Sequence, residues 1–208
     1  MNSQTQRLML QGTAGPIEAL RDLPGGNSKG IALICHPHPL FGGTMDNKVV
    51  QTLARAFVQT GWTALRFNFR GVGSSSGAYD EGRGESDDLR ELIKQVAAKG
   101  SALAIAGFSF GSVVASQVLA EAAQSHDLQK IVMVGTATSR FAVASIPAEL
   151  HEKLIVIHGE MDDTVPLQSV MDWARPLVIP VTVVPGGGHF FHGQLPLLRG
   201  LVERHLSV

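Results

Sequence analysis

Five short segments of the chain are almost wholly apolar: Ile31-Ala32-Leu33-Ile34-Cys35, Ala102-Leu103-Ala104-Ile105-Ala106, Ile131-Val132-Met133-Val134, Leu154-Ile155-Val156-Ile157 and Val181-Thr182-Val183-Val184. Strands buried on both faces of a parallel sheet read this way. Residues 63–69 form a further strand of more alternating character. Between these runs the period changes to that of a helix. Leu89, Leu92, Ile93 and Val96 fall at i, i+3, i+4, i+7, as do Leu167, Val170, Met171 and Ala174. Val49, Val50, Leu53 and Phe57 make a similar stripe, and Leu195, Leu198, Val202 and Leu206 make a last one. Repeated strand–helix alternation predicts an α/β fold, with a mostly parallel central sheet, right-handed crossovers and helices on both faces.

The N-terminal part reads differently. Arg7-Leu8-Met9-Leu10 and Ile17-Glu18-Ala19-Leu20 are separated by Gly12 and Gly15-Pro16, which predicts an antiparallel hairpin at one sheet edge. Residues 24–28, Pro-Gly-Gly-Asn-Ser, read as an exposed turn. No internal repeat, low-complexity tract or linker interrupts the chain, so residues 1–208 are expected to form one domain. The stretch 138–153 is the one place for an inserted lid, and it is too short for a substantial lid domain.

Composition narrows the classes. With 208 residues and 44% hydrophobic content the chain can bury a sizeable core. A net charge of -1 and the lack of any Lys/Arg block give no footprint for nucleic acid or an anionic membrane. No apolar run approaches the ~20 residues that span a bilayer. Cys35, the one cysteine, excludes an intrachain disulfide and reads as an inert small hydrophobe inside a strand. The first seven residues are polar and no signal-type apolar stretch follows, so a cytoplasmic location is expected.

Chemistry enters at Gly107-Phe108-Ser109-Phe110-Gly111, which lies between the apolar run 102–106 and a helix-like run, 113–120. A G-x-S-x-G between strand and helix is a nucleophile elbow: the serine sits on a turn so sharp that its hydroxyl stands clear of the backbone. A serine hydroxyl needs a base within reach and a third group to orient that base. Two later strand ends supply them. His158-Gly159-Glu160-Met161-Asp162-Asp163-Thr164-Val165-Pro166 follows one, and Pro185-Gly186-Gly187-Gly188-His189-Phe190-Phe191-His192 follows the next. Asp162 and Asp163 compete for the orienting role, and His189 and His192 for that of the base. His189 directly follows the glycine turn, where a flexible backbone can carry an imidazole to the serine.

These segments, with His36-Pro37-His38-Pro39 and Arg70-Gly71-Val72-Gly73-Ser74-Ser75-Ser76-Gly77, resemble the α/β-hydrolase superfamily over nearly the whole chain. The run 36–48, with 107–111 and His189-Phe190-Phe191-His192-Gly193, is similar to a bacterial group of small lidless predicted hydrolases related to dienelactone hydrolases and carboxylesterases. The chain departs from dienelactone hydrolases in carrying serine, not cysteine, at the elbow. The resemblance implies an α/β-hydrolase fold, Ser109 as nucleophile, Asp162 as the orienting acid and His189 as the base. It leaves Asp163 as a solvated carboxylate and His192 as a pocket or helix-cap residue. An oxyanion hole would take the N–H of Phe110, the residue after the nucleophile. Its second donor would come from the loop after residues 31–35, where Pro37 and Pro39 have no N–H, so His38 is favoured and Leu40 second.

Other motifs carry plainer readings. His36-Pro37-His38 has the spacing of a metal pair but lacks a third ligand at regular spacing, so no metal is expected, and no organic cofactor is called for. His36 and His158 read as structural imidazoles satisfied by backbone groups. Residues 71–76 lack the third glycine of a dinucleotide loop. Glu81, Glu85, Asp87 and Asp88 suit the first turn of a helix, and one of them is expected beside Arg66 or Arg70. Phe41, Phe108, Phe110, Phe190 and Phe191 gather around the motifs, and with His192 some are expected to line an apolar substrate pocket. The expected activity is hydrolysis of a carboxylic ester or thioester of a small-molecule acyl substrate through an acyl-enzyme. The rivals are transfer to an acceptor other than water, and a fold retained for binding alone.

Overall fold

The apolar runs assemble into one eight-stranded sheet. The computed structural model describes residues 5–98 and 100–207, so the first four residues of the polar start lie outside the described residues. The strands are β1 (Gln6–Gly12), β2 (Gly15–Asp22), β3 (Gly30–Cys35), β4 (Thr63–Phe67), β5 (Ala102–Phe108), β6 (Asp127–Val134), β7 (Leu154–Gly159) and β8 (Val181–Val184). Their spatial order is β1-β2-β4-β3-β5-β6-β7-β8. β1 pairs β2 and β2 pairs β4 antiparallel, and every later pairing is parallel. The hairpin closes where Gly12 faces Gly15.

Continuous hydrophobicity is what a strand with two covered faces requires. On β3, Leu33 and Cys35 join the core on one face while Ala32 and Ile34 join the core on the other. Helix α1 (Lys48–Gln59) and helix α6 (Leu195–Ser207) bury Val50, Leu53, Phe57, Leu198 and Val202 on the Ile34 side. Helices α2 (Arg83–Val96), α3 (Phe110–Ser116), α4 (Leu119–Ser125) and α5 (Leu167–Ala174) cover the Leu33 side. No helix among the described residues is long and apolar enough to cross a membrane.

The fold departs from the sequence reading in three places. The run 113–120 is not one helix: α3 ends at Ser116 and α4 begins at Leu119. Gln117 and Val118 donate to the carbonyls three residues back, and Ser116 Oγ bonds Val113 O at 2.7 Å, which tightens and ends the first helix. The strand at 63–69 stops at Phe67, because Asn68 N–H turns to Glu18 O and Phe69 N–H turns to a histidine ring. All five residues of β4 are buried despite their alternation. Arg66 is tolerated there because its Nη2 lies 3.0 Å from Asp22 Oδ2 and its Nη1 lies 3.0 Å from Met45 O and 3.2 Å from Asp46 Oδ1. The acidic cluster does meet one of the two arginines expected, with Asp88 Oδ2 2.8 Å from Arg70 Nε.

His36 ties the end of β3 to the chain leaving β4. Its Nδ1–H donates to Pro37 O at 2.6 Å and its Nε2 accepts the Phe69 N–H at 2.9 Å, so the ring is satisfied by backbone as a neutral imidazole. Burial pushes its pKa down to about 4, against the smaller pull of the Pro37 bond. Between about pH 6.5 and the folded value the unfolded chain takes a proton that the folded chain refuses, so stability falls as pH falls through that window, by about 3 kcal/mol in full. The free energy of urea unfolding is therefore expected to drop faster between pH 7 and pH 4.5 in the wild type than in His36→Gln. Equal slopes, or an NMR titration of His36 near the free-imidazole value, would overturn this account.

Candidate active site

Ser109, Asp162 and His189 lie in loops at the carboxyl ends of β5, β7 and β8, which belong to the parallel part of the sheet with only β6 between the first two. Parallel pairing sends those ends to the same edge, so residues far apart in sequence converge. Ser109 occupies the turn from β5 into α3 at φ +56°, a left-handed conformation rare for a residue with a side chain. Its N–H donates to Val134 O at 2.8 Å, which pins the turn to β6. A Cβ on Gly111 would overlap the Cys35 carbonyl, so only glycine lets α3 start this close to β3. Gly159 serves the other loops in the same way: a Cβ there would overlap Gly187 O. That close approach lets Met161 N–H reach Gly187 O at 2.8 Å and lock the Asp162 loop to the His189 loop.

A single hydrogen-bonded chain joins the three side chains. His189 Nδ1–H donates to Asp162 Oδ2 at 2.7 Å, and Ser109 Oγ–H donates to His189 Nε2 at 3.1 Å. All three residues are buried, with Ser109 7% and His189 4% exposed. Asp162 Oδ1 accepts the N–H groups of Val165 at 2.8 Å and Thr164 at 3.0 Å. Burial alone would raise the Asp162 carboxyl; the His189 bond, the Val165 amide and the positive ends of His189 and His158 outweigh it and hold the pKa below the usual carboxylate range. Among the described residues the one hydrogen bond of the Asp163 side chain is the long one it accepts from Thr164 Oγ1 at 3.4 Å. His192 is exposed and meets the ring of Phe190 at a centroid distance of 5.9 Å, away from Ser109 Oγ.

His158 is a second imidazole on the same carboxylate. Its Nε2–H donates to Val165 O at 2.9 Å and lies 3.4 Å from Asp162 Oδ2, while the buried Nδ1 has no partner among the described residues. The expectation that backbone alone satisfies this ring is therefore corrected. Burial lowers its pKa, so it sits beside Asp162 as a neutral ring. The His189 ring is framed by Phe108 at 4.9 Å and Phe190 at 5.1 Å.

An open cavity of about 280 Å³ leads to Ser109. Phe41, Phe110, Phe141, Phe190 and Val165 supply its apolar wall. Three pocket expectations are corrected. Phe108 and Phe191 are fully buried in the core on the α1 and α6 side, and His192 stays outside the cavity. Phe108 thus supports the His189 ring from below instead of meeting solvent. Phe141 and Arg140 join the lining without having been singled out, because they sit in an irregular loop after β6 with no motif around them. The Thr164 and Val165 amides were equally unnoticed, although they lie inside the Gly-x-x-Asp-x-x-Val-Pro spacing.

The backbone N–H groups of Phe110 and His38 donate to no acceptor among the described residues, and both residues line the cavity. The Leu40 N–H is committed to His38 Nδ1 at 3.2 Å, which takes the second-choice donor out of consideration. The His38 ring packs against Phe41, Tyr79 and Phe110 at 4.8 to 4.9 Å, so its loop is held by aromatic contact as well as by two prolines. No group of three or more His, Cys, Asp or Glu side chains among the described residues is arranged to hold a metal ion.

The geometry has counterparts in known proteins. A family model described as serine aminopeptidase, S33, matches residues 26–161, well over half the chain. An uncharacterized protein of Rickettsia prowazekii is 32% identical over 200 residues, covering 89% of this chain and 82% of its own length. A solved structure from Xanthomonas campestris, described as an α/β serine hydrolase without a lid, is 36% identical with a TM-score of 0.84, covering 99% of this chain and 95% of that one. An α/β serine hydrolase homologue from Coxiella burnetii is 34% identical with a TM-score of 0.84, covering 99% of this chain and 98% of its own. With its sheet order, its elbow serine and these likenesses, the chain belongs to the serine aminopeptidase S33 family of the α/β-hydrolase superfamily.

Proposed function

We propose that the protein hydrolyses carboxylic esters or thioesters through a covalent acyl-enzyme on Ser109. The observation that carries this reading is the hydrogen-bonded chain Ser109 Oγ–His189 Nε2, His189 Nδ1–Asp162 Oδ2, opening on an apolar cavity. In the proposed reaction Ser109 Oγ attacks the acyl carbon while His189 Nε2 takes its proton. The negative charge that forms on the carbonyl oxygen is met by the N–H groups of Phe110 and His38, which need no reorganisation because no other acceptor holds them. The tetrahedral centre collapses, His189 returns the proton to the departing alcohol or thiol, and the acyl group remains on Ser109. Water, deprotonated by the same imidazole, then releases the acid and restores the serine. Asp162 keeps the imidazole in the tautomer that presents a bare Nε2, and its charge stabilises the imidazolium between the two steps.

The cavity favours an ester or thioester over the amino-terminal amide that the family's description names. Recognition of a free α-ammonium group calls for a carboxylate, and no Asp or Glu among the described residues lines the cavity. Its volume is small for a ligand site, which suits a short acyl group.

Fluorophosphonate labelling tests the nucleophile. Wild-type protein is expected to label at Ser109 and Ser109→Ala to remain unlabelled; equal labelling of both would sink the assignment. Hydrolysis of p-nitrophenyl acetate by Asp162→Asn should fall about 10⁴-fold in kcat, through the wrong imidazole tautomer. A loss under tenfold would remove Asp162 from the proposed role.

A series of p-nitrophenyl esters and acyl-thioesters of increasing chain length tests the pocket. The specificity constant kcat/KM should peak at acyl chains of about two to six carbons and fall beyond them. A steady rise to long chains would contradict the small acyl pocket while leaving the nucleophile intact.

A further inference from the structure

The described lining of the cavity at Ser109 holds one permanently charged side chain, Arg140, and no carboxylate among the described residues answers it. Some arginines of the chain meet carboxylates, Arg66 with Asp22, Arg70 with Asp88, Arg90 with Glu121 and Arg175 with Asp172, all within 3.0 Å, while Arg21 and Arg55 bond glutamine side chains instead; Arg140 differs in lining the cavity at Ser109. Among the described residues Arg140 has no carboxylate within the 4.0 Å of an ion pair. Nor does any backbone or side-chain oxygen among the described residues accept a hydrogen bond from its guanidinium. Its surroundings in the lining are aromatic and neutral, and no Asp or Glu contributes to that lining.

Arg140 is exposed, but the loop that carries it is tied down. Both Arg140 N–H and Phe141 N–H donate to Ala137 O at 3.2 Å. Further along, Gln117 Nε2 donates to Ala142 O at 3.2 Å and Ala144 N–H donates to Ser116 Oγ at 3.0 Å. Phe141, the next residue, meets Phe110 edge to face at a centroid distance of 5.0 Å and so anchors the loop to the residue after the nucleophile. The charge also reaches across the cavity: burial lowers the His38 pKa first, and the positive charge of Arg140 lowers it further.

We propose that Arg140 is a specificity-determining residue, and that the substrate is an ester or thioester carrying a carboxylate, bound by the Arg140 guanidinium while its acyl carbon lies at Ser109. A guanidinium is always charged and presents a planar fork of donors that matches a carboxylate. The apolar wall around it excludes water from one side of such a pair, which strengthens it relative to an ion pair on an open surface. The inference rests on the hydrolase reading of Ser109.

The test compares matched esters that differ only in charge. One pair places the charge on the acyl side: mono-p-nitrophenyl adipate against its methyl ester. The other places it on the leaving group: p-carboxyphenyl acetate against its methyl ester. For each pair the readout is the ratio of kcat/KM, anionic over neutral, in wild type, Arg140→Gln and Arg140→Glu, which cancels the intrinsic reactivity of the esters. In at least one pair the ratio should fall about tenfold from wild type to Arg140→Gln, and further in Arg140→Glu. The same wild-type ratio should shrink between about 20 mM and about 500 mM NaCl as the charges are screened. Ratios that do not change with the residue at position 140 in either pair overturn the proposal. If wild-type protein cleaves none of these esters and takes no fluorophosphonate at Ser109, the hydrolase reading has failed instead; turnover with an indifferent ratio removes Arg140 alone.

Discussion

A carboxylate removed from water is costly unless every lone pair finds a donor, and Asp162 is built around that requirement. One oxygen takes the Val165 and Thr164 amides and the other takes His189, with a neutral His158 beside it. Each contact fixes something beyond the charge. The two amides hold the turn after β7 in one conformation, so the carboxylate cannot rotate away. The His189 bond sets which imidazole nitrogen carries the proton, and hence which one faces Ser109. The local sequence serves the same end, because the turn Asp162-Asp163-Thr164-Val165 folds its own amides back onto its first side chain.

The sheet supplies the other half of the arrangement. A parallel strand buries both faces, so its ends are the only places where polar side chains can gather without disrupting a core. Close approach between those ends is limited by Cβ atoms, and the chain removes them where backbone meets backbone, at Gly111 against β3 and at Gly159 against the His189 loop. Between β5 and β7, Gly135 at the end of β6 lies beneath His189, where a Cβ would come within 3.3 Å of the ring. The imidazole rests on that glycine and is flanked by Phe108 and Phe190. Packing against the ring and hydrogen bonding at its two nitrogens therefore fix it in all three dimensions.

This division explains what could be read from the chain and what could not. Strands buried on both faces announce themselves as apolar runs, and a glycine-flanked serine or histidine at the end of such a run is a local signal. Ser109, Asp162 and His189 are legible for that reason. Arg66 is not, because its burial depends on Asp22 and Asp46, which come from other elements. The break between α3 and α4 depends on Ser116 Oγ bonding back to Val113 O and accepting the Ala144 amide from a loop that shows no period. Phe108, Phe190 and Phe191 look alike in sequence; only the pleat and the positive φ of Phe191 send the first and last into the core and leave Phe190 half in solvent. Arg140 and Phe141 reach the cavity through an irregular loop, where neither period nor motif gives direction.

An open site has a consequence for how such a reaction can work. Fixed N–H dipoles stabilise a developing oxyanion strongly only where water is excluded, and here no inserted domain performs the exclusion. The protein buries its own side of the site, leaving Ser109 and His189 almost without exposure, while Phe41 at 76% and Phe190 at 43% exposure stand apolar at the rim. Exposed rings at a cavity mouth gain free energy only when something covers them. In the proposed reaction that cover is the substrate, so binding and desolvation become one event. A molecule that spans the rim from Phe41 to Phe190 dries the oxyanion donors, whereas one that fills only the bottom of the cavity leaves them wet. Selectivity in a lidless site of this kind then resides in how completely the substrate closes the mouth, and in the proposed reading the Arg140 guanidinium placed there decides which closures are electrostatically complete.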